Sequence, residues 1–255
     1  MPSPDTFIGY RAHPLVSNPG DIRQYSAPHH YRIISSEVDK LLVDSASKII
    51  LDVGGYKHPA LTQNLFPGLE RFSLNIPSTE KITGNPDVIY DGINFPFADE
   101  TIPAVIAVDV LEHVSPIDRQ TFIEELVRIS QKGIVISFPV DSEANKKHEE
   151  VLIEGRERVG LPHASIDQHQ IMGLPTREFI ETIGKDTGLP YQLFPATNAS
   201  VAFSCLQEQL AAFLKQSDGN TLRQMTIERE ALLAASPLPT WEEAYRAILV
   251  IHKNR

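Results

Sequence analysis

The chain lacks three features that would point to particular classes of protein: paired cysteines, long apolar runs and an excess of basic residues. Its single cysteine, Cys205, excludes an intrachain disulfide and fits a reducing compartment. No apolar run approaches the ~20 residues of a membrane-spanning helix, and the first thirty residues show no apolar signal region. We therefore expect a cytoplasmic protein without a membrane span.

The charge balance argues against a nucleic-acid partner. The sequence has 33 acidic and 23 basic residues among its 255, which gives a formal net charge of -10. Binding to a nucleic-acid backbone needs a basic stripe, which this composition does not favour.

Residues 105–140 predict one unit of a parallel sheet. Two short apolar runs, at 105–108 and 134–138, have the composition of strands that are covered on both faces. The amphipathic stretch between them predicts a helix with Ser115 as its N-cap and Gly133 as its terminator.

Further apolar stretches predict the rest of the sheet. Parallel strands are expected to end at residues 53, 75, 90, 108 and 138, and the last strand, at 246–252, is expected to be antiparallel. The fold class is therefore α/β: a doubly wound, mostly parallel, Rossmann-like sheet with an inserted helical pair. We expect a single domain with an irregular arm, a substrate-side lid and a helical insertion, at 1–30, 141–175 and 200–236.

Polar residues and glycines follow several of the predicted strands. Gly54 and Gly55 come directly after a buried strand, where the absence of a Cβ lets the backbone approach a ligand. Open α/β sheets bind ligands at the carboxyl ends of their strands, so the residues at these ends are candidates for a site. Asp109 and Glu112 have a second interpretation, as polar caps before the next helix.

Three segments resemble the motifs of class I S-adenosylmethionine-dependent methyltransferases of the type 11-like group. They are ILDVGG at 50–55, DGINFPFADETI at 91–102 and DVLEHV at 109–114. The downstream part, with His169 ahead of Gly-Leu-Pro at 173–175, is similar to methyltransferases of bacterial surface-glycan biosynthesis. The resemblance implies S-adenosylmethionine as the cofactor and O-methylation of a sugar or another small acceptor.

The resemblance also implies a role for each matching residue at the first two motifs. Asp52 would orient the glycine loop, and Gly54 and Gly55 would let the methionine part of the cofactor pass close to the backbone. Asp91 would accept a hydrogen bond from the adenine amino group, and Gly92 would lie beside the ring.

The third motif supplies contacts to the methionine moiety and a catalytic candidate. By the resemblance, Asp109 and Val110 would contact the methionine moiety, and His113 would face the transferable methyl group or the acceptor. A hydroxyl acceptor benefits from a base with a pKa near the working pH, for which imidazole is suited. His169 is the second catalytic candidate, while a packing role for His113 is an equally open interpretation.

Two residues depart from the family pattern. Tyr56 replaces the usual third glycine of the loop, and Asn75 stands where an acidic residue would hold both ribose hydroxyls. Charge-assisted hydrogen bonds are roughly twice as strong as neutral ones, so Asn75 as a ribose ligand predicts weaker cofactor binding. The same departures favour a rival hypothesis, a non-catalytic binding or partner subunit. A nucleotide-dependent oxidoreductase is disfavoured, because no glycine follows Gly55 until Gly68.

The remaining histidines and the late helices have simpler interpretations. His148, His163 and His169 match no zinc spacing and have no cysteine nearby, so the sequence predicts no metal site. The apolar residues of the late helices are interpreted as core or as subunit contact in a homodimer.

Overall fold

The structure is a computed structural model of the chain. It describes residues 29–55, 66–77, 86–92, 94–157, 164–204 and 219–253. The expectations for most of the amino-terminal arm, for Tyr56 and for His163 fall outside the described residues.

Seven strands form one sheet in the order β3-β2-β1-β4-β5-β7-β6. Of the described strands only β7 runs antiparallel, pairing with β5 on one side and with β6 on the other. The chain order reverses between β1 and β4, which makes this the topological switch point of the sheet. The strands are β1 Ile49–Val53, β2 Glu70–Asn75, β3 Val88–Ile89, β4 Ala104–Val108, β5 Gly133–Pro139, β6 Tyr191–Asn198 and β7 Ala244–His252. The predicted fold class is confirmed, including the antiparallel last strand.

Helices lie between most of the strands, and a short 3-10 helix, Leu111–His113, follows β4. They are α1 His29–Leu41, α2 Arg119–Ile129, α3 Glu143–Glu157, α4 Ala164–Met172, α5 Arg177–Asp186 and α6 Gly219–Ala235. None of the described helices is long and apolar enough to cross a membrane. Of the predicted helical insertion, the structure describes the helical residues 199–204 and α6, and 205–218 lie outside it.

The core lies on both faces of the sheet. Leu51 and Val53 belong to a cluster that includes the buried side of α2, whereas Ile50 belongs to a second cluster with α1. Successive side chains of a strand point to opposite faces, so β1 contributes to both clusters. Burial on both faces explains why the central strands are nearly continuous apolar runs.

Two local expectations about the helix after β4 are wrong. Ser115 does not cap it: a turn intervenes, in which the Asp118 N–H donates to the Ser115 carbonyl at 2.8 Å, and α2 begins at Arg119. Gly133 does not end it either, because Gly133 is the first residue of β5 and has a φ of +138°. A Cβ at Gly133 would overlap the carbonyl oxygen of Ile251 on β7, so a contact between strands requires the glycine.

Candidate functional site

The glycine loop at the end of β1 is fixed by its backbone conformation and by a close neighbour. Gly54 has a φ of +81°, and its N–H donates to the Leu74 carbonyl at 2.7 Å, which ties the loop to β2. A Cβ at Gly54 would overlap Cγ2 of Val110, from the segment that follows β4. Both the positive φ and the close contact with Val110 therefore require a glycine at position 54. The loop lies at the switch point between β1 and β4.

Asp52, two residues before Gly54 in the chain, forms a buried ion pair with Arg71. Asp52 accepts hydrogen bonds from Arg71 on β2, with Nε 2.8 Å from Oδ2, and both side chains are buried. Burial lowers the pKa of Arg71, but the adjacent carboxylate more than offsets this, so the pKa lies above its usual value. A Cβ at Gly55 would lie 2.5 Å from Oδ2 of Asp52, so this second glycine leaves room for the ion pair.

Sequence reasoning missed Arg71, although a signal was present. Arg71 pairs in register with Ile50, and Asp52 is two residues further along β1. Residues two apart share one face of a strand, so an arginine in β2 was the available partner for a buried aspartate in β1.

Asn75, at the end of β2, holds the glycine loop. Its Nδ2 donates to the Gly54 carbonyl at 2.8 Å, and its Oδ1 accepts from the Ile76 N–H at 2.8 Å. An acidic side chain could not make the first of these bonds, because a carboxylate only accepts. The departure from the family pattern therefore has a structural role in this chain.

Asp91 and Gly92 form a tight turn after β3. The two carboxylate oxygens of Asp91 accept from the backbone N–H and the side-chain amide of Asn94, each at 2.7 Å. Gly92 has a φ of +88°, and a Cβ there would lie 3.3 Å from Cγ2 of Ile76. The turn is thus packed against the residue that follows Asn75.

Asp109 combines an unusual backbone conformation with a buried ion pair. Its φ is +56°, which is uncommon for a residue other than glycine and tends to mark functional sites. Its carboxylate pairs with both terminal nitrogens of Arg246 on β7, with Nη2 3.0 Å from Oδ2. The guanidinium also lies 4.8 Å from the centre of the Tyr245 ring. Sequence reasoning missed Arg246, for which a charged residue inside an apolar strand was the signal.

The two catalytic candidates, His113 and His169, lie close together. Their ring centroids are 5.6 Å apart, and His169 Nδ1 is 2.8 Å from Oε1 of Glu149 on α3. Glu112 Oε1 is 3.9 Å from His113 Nε2. The 3-10 helix after β4 carries Glu112 and His113, and α4 carries His169, so the cluster forms where these two elements pack.

Burial shifts the titration of two members of this cluster. It raises the pKa of Glu112 to about 8. Burial, together with the nearby His169, lowers the pKa of His113 to about 4. Both shifts favour the neutral forms of these two side chains.

Arg119, which sequence reasoning did not single out, positions this cluster. Its guanidinium donates to the carbonyls of Val114 at 3.1 Å, Met172 at 3.4 Å and Gly173. Val114 follows the 3-10 helix, and Met172 ends α4. Arg119 therefore joins the two elements that carry the histidines.

The segment 109–113 connects the cluster to the glycine loop. Val110 packs against Gly54, and its carbonyl accepts from the His113 N–H at 2.9 Å. His148, by contrast, stacks on Phe203 at 5.3 Å, and it is not among the described residues that could share a metal ion with His169.

Comparisons with known proteins show the fold and no closer relationship. No family model matches the chain, and no curated protein matches it. A putative sarcosine dimethylglycine methyltransferase from Galdieria sulphuraria is 13% identical with a TM-score of 0.50, covering 87% of this chain and 84% of that one. The 4+2 cyclase SpnF is 14% identical with a TM-score of 0.51, covering 87% and 81%.

A third solved structure is much longer than this chain. Phosphoethanolamine N-methyltransferase 2 of Haemonchus contortus is 17% identical with a TM-score of 0.47, and the match covers 86% of this chain and 53% of that one. The chain thus spans about half the length of that enzyme. Taken with the sheet order, the comparisons show that this chain has a Rossmann-like fold of the methyltransferase type.

Proposed function

We propose that the chain is an S-adenosylmethionine-dependent methyltransferase that acts on an oxygen of a sugar or another small acceptor. The observation that carries this proposal is the glycine loop at the switch point of the sheet, where Gly54 has a positive φ and lies against Val110. Doubly wound sheets bind their ligands in the crevice at this point. The three ordered sequence motifs support the proposal, because they follow β1, β3 and β4, parallel strands whose carboxyl ends share this edge of the sheet.

The residues present fit the cofactor. Gly54 and Gly55 would hold the methionine part, with Asp109 and Val110 beside it. Asp91 would hold the adenine amino group: its oxygens already accept two hydrogen bonds, but a carboxylate has about four acceptor positions.

The ribose contact is the least usual part of the proposed site. Asn75 Oδ1 accepts from the Ile76 N–H and has a second lone pair that could accept from one ribose hydroxyl. Its Nδ2 is engaged by the Gly54 carbonyl. One neutral acceptor would replace the usual carboxylate, so we expect cofactor binding to be weaker than in a site with an acidic residue.

The histidine cluster supports an oxygen acceptor. S-adenosylmethionine supplies an electrophilic methyl group, and its transfer depends largely on positioning. A hydroxyl acceptor must in addition lose a proton. Glu149 engages Nδ1 of His169, which orients the ring and leaves Nε2 to take that proton. His113 would line the same acceptor side.

A second candidate function is a non-catalytic binding subunit. It is favoured by the engagement of Asp52, Asn75 and Asp109 with partners inside the protein. The similarity to a cyclase also indicates that this fold does not dictate one reaction.

Calorimetric titration with S-adenosylhomocysteine and S-adenosylmethionine tests the proposal. We expect binding with a dissociation constant on the order of micromolar, equivalent to about 8 kcal/mol. Asp91→Ala and Gly54→Val should weaken it, whereas Asp99→Ala, which removes an exposed carboxylate from the same region, should not. A folded protein that binds neither compound would favour the non-catalytic subunit. Unchanged affinity in both site variants would show that the cofactor binds elsewhere.

The acceptor needs a separate assay. Formation of S-adenosylhomocysteine should be measured with sugar and glycan-precursor hydroxyls and, in parallel, with amine and carboxylate acceptors. Turnover on the hydroxyl compounds, with a large loss in His169→Asn, would support the proposed acceptor class. Turnover only on another class would contradict it.

A further inference from the structure

We propose that Glu112, His113 and His169 form a binding site for one divalent transition-metal ion. One potential ligand atom of each side chain lies within 4.8 Å of those of the other two. Ligands about 2.1 Å from a shared ion are at most about 4.2 Å apart, so small side-chain rotations would complete the site. Binding of the metal goes beyond the proposed function and does not depend on it.

Polar atoms without partners are the second observation that points to a ligand. Oε2 of Glu112 and Nδ1 of His113 are buried and have no hydrogen-bond partner among the described residues. The Glu112 side chain is only 2% exposed. Buried polar groups in native proteins nearly always have a partner, and a cation bound by the Glu112 carboxylate would supply one.

The surroundings of His169 match those of a metal-binding histidine. Such histidines usually donate their second ring N–H to a carboxylate, which fixes the ring and its tautomer. Glu149 accepts from Nδ1 of His169 at 2.8 Å, and both side chains are 6% exposed. This leaves Nε2 as the ligand atom. Arg119, through the carbonyls of Val114 and Gly173, keeps α4 against the 3-10 helix.

The ligand set indicates the class of metal. Two imidazoles and one carboxylate favour Mn²⁺, Fe²⁺, Co²⁺ or Zn²⁺ over Mg²⁺ or Ca²⁺, which prefer oxygen ligands. Three protein ligands leave at least one coordination position open. If the proposed function holds, an acceptor hydroxyl would occupy that position, and the metal would lower its pKa in place of His169 acting as the base.

Sequence spacing could not reveal this site. Two of its ligands are adjacent in the chain, and the third comes 56 positions later, which matches no zinc motif. Of the three histidines weighed as a metal set from the sequence, His169 belongs to the cluster, His148 does not, and His163 lies outside the described residues.

Titration of the chelator-treated protein with Mn²⁺, Co²⁺ and Zn²⁺ tests the proposal. Calorimetry should give one equivalent of bound metal, and the visible spectrum of Co²⁺ should report imidazole ligands. Glu112→Gln and His169→Asn should weaken binding at least 100-fold, and Glu149→Gln, a positioning change, about 10- to 100-fold. His148→Asn is the control, because His148 lies against Phe203, and it should bind metal as the wild type does.

Thermal melting shows whether each variant is folded and whether metal stabilises it. Glu112→Gln replaces a buried carboxyl that has one unpartnered oxygen by an amide of nearly the same shape, so this variant should fold. Metal should raise the melting temperature of the wild type and of His148→Asn, and should not raise that of Glu112→Gln. No stoichiometric binding by the wild type, or full binding by Glu112→Gln, would overturn the proposal. S-adenosylhomocysteine is titrated without metal, so failure of one proposal is distinguishable from failure of the other.

Discussion

Replacing Gly54 by alanine tests whether the glycine loop is fixed by both its backbone conformation and its close neighbour. The φ of Gly54 is +81°, a conformation that costs an L-residue about 1–2 kcal/mol. The added Cβ would also overlap Cγ2 of Val110 and lie 3.5 Å from its Cβ. Overpacking of this kind costs a further ~1–3 kcal/mol. We expect Gly54→Ala to lower the free energy of unfolding by about 2–5 kcal/mol.

Gly68→Ala is the matched control, because Gly68 has a φ of +78° and its added Cβ would meet no atom within 4 Å. Gly68→Ala should lower the free energy of unfolding only by the cost of the positive φ, about 1–2 kcal/mol. Val110→Ala removes the atom that the new Cβ would overlap. The double variant Gly54→Ala with Val110→Ala should therefore recover the steric part, with a coupling of about 1–3 kcal/mol between the two sites.

Urea unfolding followed by circular dichroism gives these free energies. Calorimetric titration with S-adenosylhomocysteine provides an independent reading of the loop. Gly54→Ala should bind more weakly than the wild type, and the double variant should recover part of the affinity. Equal destabilisation by Gly54→Ala and Gly68→Ala, or strictly additive effects in the double variant, would refute the steric reasoning.

Substitutions at Arg246, Asn75 and Gly133 give three further predictions, and urea unfolding measures the change in the free energy of unfolding for each. Arg246→Met leaves the Asp109 carboxylate buried without its partner and should cost about 3–5 kcal/mol, and adding Asp109→Asn should recover much of this. A double variant as unstable as the sum of its parts would contradict that pairing. Asn75→Asp replaces the donor to the Gly54 carbonyl by an acceptor and should cost about 1–3 kcal/mol; wild-type stability would show that this bond does not matter. Gly133→Ala drives a Cβ into the backbone of β7 and should cost more than ~4 kcal/mol, so a stable variant would disprove the close approach.

The sheet was predictable because its signal is local. The bounds of β1 agree with the predicted strand that ends at residue 53, and the predicted strand ends at 108 and 138 lie within a residue of those observed. Buried parallel strands are short apolar runs, which a sequence shows directly. Polar residues after these runs gave the edge of the sheet at which the candidate site lies.

Long-range partners were not predictable in the same way. Asp52 pairs with Arg71, 19 positions away, and Asp109 pairs with Arg246, 137 positions away. Such pairs depend on strand order and register, which local periodicity does not encode. Gly133 shows the converse error: a glycine that fitted a local helix end is required by a contact with β7.

The carboxyl edge of the sheet contains two kinds of polar group, and the difference bears on where a ligand binds. Around the glycine loop, Asp52 and Asn75 bond to protein partners, so that half of the site is held in place before any ligand arrives. In the histidine cluster, Glu112 and His113 each have a buried atom without a partner among the residues described. Each such atom costs about 1–3 kcal/mol. A ligand that bonds both would offset that cost and stabilise the folded chain, so we expect the larger gain in stability from ligands of the cluster.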